Sequence, residues 1–418
     1  MKKEDVRNGG VPGDAAMVRQ IWPVLVAGAL GLIPFTIFST FLVGIADTAN
    51  TDAATVGTLR GLGGVAALIV GIGCAPLIDK LSRRAISVGS LIVIGVACLA
   101  AAAGPLWTWI VFCLLIGAAT ATLNPALSAM AADSFDDEAA SGRAATLVSS
   151  TMTLTSMLAA PLLAGPAIVW GWRGDLVATT VLCLLMALFL GRSRNRAGDS
   201  VPGADGEVSG LRGYLTSFGR VIRIPSVGLL LLISLLRTSA FMGQLAYIAV
   251  FYDRTYGLGP GVFSLVWTLS GLSFFLGNWF GGRFLRDVAE ESSVVWVTVV
   301  ASLVAVAGMV VLFESEHVVT ALTMTATLAA AHAVIAACVT TLLVRKSGGQ
   351  RGAVLALNGA GQSIGVFVGA SLGGIGLASW GWPGIGAVLA LTTALAACCG
   401  LIIEYSHRKR QRAARVSR

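Results

Sequence analysis

Apolar runs long enough to cross a bilayer follow one another from residue 21 to residue 403, with only brief polar breaks between them. A helix needs ~20 mostly apolar residues to span the hydrocarbon core. Inside lipid the backbone finds no water to bond, so only helices and closed barrels satisfy their own N–H and C=O groups. Barrel strands would show segments of ~10 residues in strict alternation. These runs are longer and apolar on every side, so they read as helices. In the first half they fall at about Ile21–Ala46, Thr55–Ile78, Ala85–Ala103, Leu106–Ala131, Ala144–Val169 and Gly174–Leu190. In the second they fall at about Val227–Phe251, Val262–Phe284, Val294–Phe313, Val318–Leu343, Gly352–Leu377 and Pro383–Ile403. The expected fold is an all-α integral membrane protein, with twelve transmembrane helices in two pseudo-symmetric six-helix bundles.

Composition narrows the function. Only 12% of the 418 residues are charged and 56% are hydrophobic, against about 25% charged in a soluble domain. That excludes a water-soluble enzyme, a disordered chain and a nucleic-acid-binding module. All seven cysteines lie inside apolar runs. They read as small buried hydrophobes and not as a disulfide framework. No Cys/His spacing suggests a metal. Residues 1–20 are polar and lack the apolar core of a signal peptide, so the first run is expected to stay as an uncleaved span.

The longest polar stretch separates six runs from six. The expected organisation is an N-terminal arm at 1–20, a first bundle at 21–190, a linker at 191–225, a second bundle at 226–403 and a basic tail at 404–418. Orientation follows the distribution of Lys and Arg. With both termini cytoplasmic, 25 of the 29 basic residues fall on the cytoplasmic side. The tail, Arg408-Lys409-Arg410 with Arg412, Arg415 and Arg418, then reads as the flank of the last span against anionic lipid, with no nucleic acid as partner. The expected location is the cell membrane.

The halves repeat. Trp170-Gly171-Trp172 closes span five and Trp380-Gly381-Trp382 closes span eleven, 210 positions later. Asp79-Lys80-Leu81-Ser82-Arg83-Arg84 after span two has a fainter echo in Gly281-Gly282-Arg283-Phe284-Leu285-Arg286 after span eight. Repeats of six spans are a feature of secondary transporters.

These residues resemble the major facilitator superfamily over about residues 21–403. Ala75-Pro76-Leu77-Ile78-Asp79-Lys80-Leu81-Ser82-Arg83-Arg84 is similar to the family loop signature G-x-L-a-D-r-x-G-R-R, with Ala75 and Ser82 at the glycine positions. Ser156–Gly165 is similar to the span-five antiporter signature g-x-x-x-G-P-x-x-G-G, keeping Pro161 and Gly165. The pattern resembles the twelve-span drug and sugar efflux branch, whose members often carry an arginine in span four; here Cys113 stands in that place. The resemblance implies a latch that closes the cytoplasmic side, with Asp79 facing the start of span eleven and Arg83, Arg84 and Arg143 as charged partners. The alternative for these charges is a topology and headgroup role.

Gly361, Gly365, Gly369 and Gly373 recur every fourth residue and share one helix face, which allows close approach of another helix. By resemblance, spans two, five, eight and eleven form the seam between halves, and spans one, four, seven and ten line a central cavity. An ionisable group at membrane depth usually faces a cavity or a partner. Candidate substrate-binding residues are Arg237 and His332, with Asn124, Gln244, Tyr247, Thr36, Thr40 and Gln362. No carboxylate falls in the middle third of any span, so the deep charges are positive. Arg237 suits a carboxylate or phosphate. Arg60 is expected to snorkel outward to Asp47 or Asp52. His332 is either a proton carrier or a neutral hydrogen-bonding group.

Two functions remain. One is a secondary transporter of a small organic solute acting by alternating access, with export the expected direction and protons the candidate coupling ion. The other is an importer or exchanger of an organic anion bound by Arg237. No nucleophile–base pair or metal set supports an intramembrane enzyme, so no residue is assigned as catalytic. No cofactor is expected, and no Walker motif encodes ATP drive. The expected partners are membrane lipid and a small-molecule substrate, with the chain acting as a monomer.

Overall fold

The computed structural model describes residues 13–73, 81–135, 137–192, 219, 221–222, 224–287, 290–347 and 351–416. Its helices in the first half are α1 (Asp14–Thr40), α2 (Leu42–Thr48), α3 (Ala53–Gly73), α4 (Arg83–Ala101), α5 (Leu106–Ala132) and α6 (Glu138–Arg192). In the second half they are α7 (Val227–Tyr256), α8 (Pro260–Asp287), α9 (Glu291–Glu314), α10 (Val318–Lys346) and α11 (Arg351–Val416). No strand occurs among the described residues. Ten apolar stretches within these helices are long enough to cross a membrane, and the last, Ala353–Lys409, has 57 residues. That is more than two crossings require.

Both long helices are bent at the repeated tryptophan–glycine motif. Gly171 takes φ 62° in α6, and Gly381 takes φ 66° in α11 beside Trp380 at φ −138°. Positive φ carries little penalty for glycine and disfavours residues with a Cβ. In a straight helix Gly376 and Gly384 would lie ~12 Å apart. Here a Cβ on Gly376 would sit 2.7 Å from the Gly384 carbonyl oxygen, so the arms of α11 fold back on each other. The loops expected between spans five and six, and between eleven and twelve, are each reduced to a glycine-centred bend. The repeat in sequence is thus a repeat of a hairpin.

Other boundaries also move. The first span breaks at Phe41, which separates α1 from the short α2. Helix α1 begins at Asp14, ahead of the expected residue 21, and α11 runs to Val416, past the expected 403. Polar Gln, Lys and Arg are good helix formers, so a helix that has left the apolar zone continues through them. Asp52 caps the start of α3, accepting the Thr55 N–H and the Thr55 hydroxyl at 2.8 Å each. The Thr55 backbone bond holds the Asp52 carboxyl below its ordinary range.

Helix ends gather on two faces. At one face, which carries the start of α1 and the end of α11, Gln20 donates to the Ser134 carbonyl, Lys346 pairs with Glu291 at 2.6 Å and Ser292 donates to Glu404 at 2.7 Å. We refer to this as the terminal face. At the opposite face Tyr256 donates to the Ser315 carbonyl at 2.7 Å, and Arg173 lies 5.1 Å over the Trp172 ring.

The buried cores divide between the halves. One cluster draws on residues 17–190 with Val250 as its sole buried contribution from the second half, and the others draw on residues 221–403. Within each half, small residues let helix backbones touch. A Cβ on Gly117 of α5 would lie 2.6 Å from the Gly63 Cα of α3, and one on Gly277 of α8 would lie 2.8 Å from the Ala330 Cα of α10. These pairs occupy corresponding positions in the two halves.

Candidate functional site

Between the halves, at the middle of the bundle, lies a cavity of about 280 Å³. Helix α1 contributes Leu32, Phe35 and Thr36, while α3 contributes Arg60 and α6 contributes Ser156. Helix α7 adds Phe241, Met242 and Leu245, and α8 adds Trp267, Ser270, Gly271 and Phe274. Four of these twelve residues are aromatic: Phe35, Phe241, Trp267 and Phe274. Phe241 stacks on Phe274 with centroids 5.4 Å apart, and Phe263 meets Trp267 edge-on at 5.8 Å.

The one charged side chain on this lining is Arg60. Its guanidinium donates to the Ser39 hydroxyl and lies 5.6 Å over the Phe35 ring. It forms no ion pair with a carboxylate among the described residues. A partly buried guanidinium held by a hydroxyl and a ring face keeps its plane fixed and leaves other N–H groups for a ligand.

A second cavity of about 500 Å³ opens nearer the terminal face, between α3, α5 and the first arm of α11. Thr120, Asn124 and Ser363 are the polar residues on its wall, and it carries no charge. Towards the opposite face the halves are sealed. The Tyr247 ring of α7 lies where a Cβ on Gly57 of α3 would fall 2.7 Å from its Cζ. The Tyr247 hydroxyl donates to the Ala370 carbonyl at 2.8 Å and reaches the Ala54 carbonyl at 3.4 Å. Gly61 presses on Phe367 of α11, at 3.1 Å from an added Cβ. Among the described residues, then, the halves are in contact towards the opposite face, and the second cavity lies towards the terminal face.

A family model described as Major Facilitator Superfamily matches residues 24–350. The chain belongs to the major facilitator superfamily. Among solved structures it is similar to a bacterial homolog of the human lysosomal transporter Spinster, in an inward-facing and unoccupied conformation, at 16% identity and TM-score 0.72, covering 95% of this chain and 99% of that one. It is also similar to the nucleoside transporter NupG, at 13% identity and TM-score 0.77, covering 92% and 99%. The human organic anion transporter MFSD10 follows at 15% identity and TM-score 0.63, covering 93% and 100%. At these identities the likeness is one of fold. No curated protein matches the chain.

In this major facilitator protein the expected site residues separate into groups. Thr36 lines the central cavity, although its hydroxyl donates to the Leu32 carbonyl at 3.2 Å. Asn124 lines the second cavity, and its side-chain oxygen is buried without a partner. Tyr247 forms the seal just described. Gln362 reaches Ser234 at 3.4 Å. Thr40, Gln244 and His332 are buried, with the Thr40 hydroxyl and both polar atoms of Gln244 and of His332 lacking a protein partner. His332 sits behind Phe241, with ring centroids 5.2 Å apart.

Arg237 is 6% exposed and donates to Thr238 at 2.9 Å. It is absent from the lining of both cavities. Arg60 corrects the sequence reading. It does not reach out to Asp47 or Asp52; Asp52 is engaged by Thr55, and Arg60 turns inward to Ser39. Inward bonding wins because the guanidinium finds a hydroxyl and a ring face at its own depth.

Arg83, expected at the latch, pairs with Asp133 after α5 and donates to the Ala129 carbonyl at 3.2 Å, so it ties α4 to α5 within the first half. Arg84 and Arg143 each have a partner. Asp79 lies outside the described residues, and Pro161 and Gly165 lie on the first arm of α6. Gly365 and Gly369 approach Leu235 and Ser239 of α7, Gly373 approaches Tyr247, and Gly361 has nothing nearer than 4.0 Å. The row thus faces α7 in its own half. The glycines that approach across the two halves are Gly57, Gly61 and Gly64 of α3 and Gly374 of α11, whose added Cβ would lie 2.4 Å from the Thr58 methyl group.

Proposed function

We propose that this protein is a secondary active transporter that moves a small organic solute across the cytoplasmic membrane by alternating access, in the direction of export. The observation that carries the reading is the central cavity, to which helices of both halves contribute at mid-bundle. A site shared by two bundles changes exposure when the bundles rock. The glycine contacts of α3 with α7 and α11 supply a smooth surface for that motion. Among the described residues Arg19, Arg83, Arg345, Lys346 and Arg408 lie on the terminal face, which supports a cytoplasmic location for both termini and an inward assignment for that end. Asp79, with Arg83, Arg84 and Arg143, is kept as the candidate latch of the cytoplasmic side. Protons remain the candidate coupling ion, with lipid and one small solute as partners of a monomer.

The organic-anion reading built on Arg237 draws less support, because that guanidinium is buried beside Thr238 and away from the cavity lining. The chemistry it needed is available at Arg60 instead.

Counterflow in vesicles tests the carrier. Purified protein in liposomes, preloaded with an unlabelled solute from a panel of drugs, sugars and organic acids, should take up the labelled solute transiently above equilibrium. A panel with no counterflow under any imposed ion or proton gradient would contradict the proposal.

A further inference from the structure

The central cavity combines one cation, no acid and several rings. We propose that it takes an aromatic organic monoanion, whose carboxylate is held by Arg60 while its ring lies against Phe241, Phe274 and Trp267. The inference rests on the carrier reading above and names the substrate class of that same site.

Charge decides the sign. Arg60 is the one ionised side chain on the lining, and no carboxylate pairs with it among the described residues. In a site of low dielectric a like charge nearby is strongly unfavourable, so a lipophilic cation would meet repulsion with no acid to offset it. A single guanidinium balances a single negative charge. Its forked N–H groups match two carboxylate oxygens, and Ser39 occupies only one end of the fork.

The walls decide the rest. A sugar needs many donors and acceptors. The lining offers the hydroxyls of Thr36, Ser156 and Ser270, and Thr36 already donates to its own helix. The Trp267 side chain lines the cavity and adds a third ring to Phe241 and Phe274. The stacked Phe241–Phe274 pair offers aromatic surface to a ring. The volume, about 280 Å³, is at the small end of ligand pockets, which run from about 300 Å³ upward. A one- or two-ring acid suits it, and a large drug does not.

Four probes of similar size isolate the terms: 4-phenylbutyrate, its neutral amide, the amine 4-phenylbutylamine and the aliphatic acid decanoate. Binding to purified full-length protein is read by thermal shift, since a ligand that binds only the folded state raises its stability. The expected result is stabilisation by 4-phenylbutyrate at millimolar concentration, with weaker effects from the other three. Arg60→Gln should weaken that binding by about 30-fold or more, and Arg60→Lys should keep part of it. The wild-type comparison stands even if Arg60→Gln folds poorly. Equal stabilisation by the amide, the amine or decanoate would overturn the proposal, as would unchanged affinity in folded Arg60→Gln or no response to 4-phenylbutyrate. Vesicles that show counterflow of a neutral solute while 4-phenylbutyrate is inert would remove the anion assignment and leave the carrier. Arg60-dependent binding without flux of any solute would keep the site and remove the carrier.

Discussion

Gly117→Val should leave little folded transporter in the membrane. Helices α3 and α5 touch backbone to backbone at this point, and a Cβ on Gly117 would lie 2.6 Å from both the Cα and the carbonyl carbon of Gly63. Carbon atoms rest at about 3.5–4.0 Å, so the helices must part by roughly 1 Å. Overpacking a well-filled interior costs about 1–3 kcal/mol where side chains can yield. Here the obstacle is backbone, which cannot rotate away, and valine brings two further methyl groups. The expected cost is at or above the top of that range, and α3 carries Arg60, so the cavity is displaced as well. Gly89→Ala is the control. Nothing lies within 4 Å of its added Cβ, and alanine favours helix over glycine by roughly 0.5–1 kcal/mol. Thermal unfolding in detergent should show a large loss for Gly117→Val and none for Gly89→Ala. Equal melting temperatures would refute the backbone contact between α3 and α5.

Tyr247→Ala should open the cavity towards the opposite face. The Tyr247 ring is fully buried and fills the gap between Gly57 of α3 and Gly373 of α11. Its hydroxyl donates within its own half to Ala370 and reaches Ala54 across the seam. Truncating a large buried aromatic costs about 3–5 kcal/mol in all. Only the contacts with α3 distinguish a closed seam from an open one. If they carry about 1–2 kcal/mol of the total, the population shifts about 5- to 30-fold towards the open state. A membrane-impermeant maleimide applied from the opposite face, with Thr36→Cys as reporter in the cavity, should label faster by that factor in the Tyr247→Ala background. Unchanged labelling would show that Tyr247 is packing and not a seal.

The spans themselves were plain in the sequence, because hydrocarbon imposes a length that apolar runs either meet or miss. The two tryptophan–glycine motifs were visible as repeats, and the structure gives their reason in the positive φ of Gly171 and Gly381. Rotational phase was hidden. A helix that is apolar on every side carries no periodic signal to say which face looks inward. Arg60 and Arg237 were both lone arginines in apolar runs, and neither sequence says which one a cavity will claim. Packing decided it: α3 turns Arg60 to Ser39 and Phe35, while α7 turns Arg237 to Thr238. The row from Gly361 to Gly373 was legible as a close-packing face, but its partner depended on the same hidden rotation.

The central claim, that the halves rock about the shared cavity, is tested most directly by two distances across the halves, measured together. Spin labels at Asp52 and Glu316 span the opposite face, and labels at Leu81 and Glu290 span the terminal face; all four positions are exposed. Pulsed electron resonance on the protein in lipid nanodiscs should find two populations at each face, shifting in opposite senses as pH or solute is varied. One distance lengthens as the other shortens. A single unchanging distance at both faces under every condition would contradict alternating access.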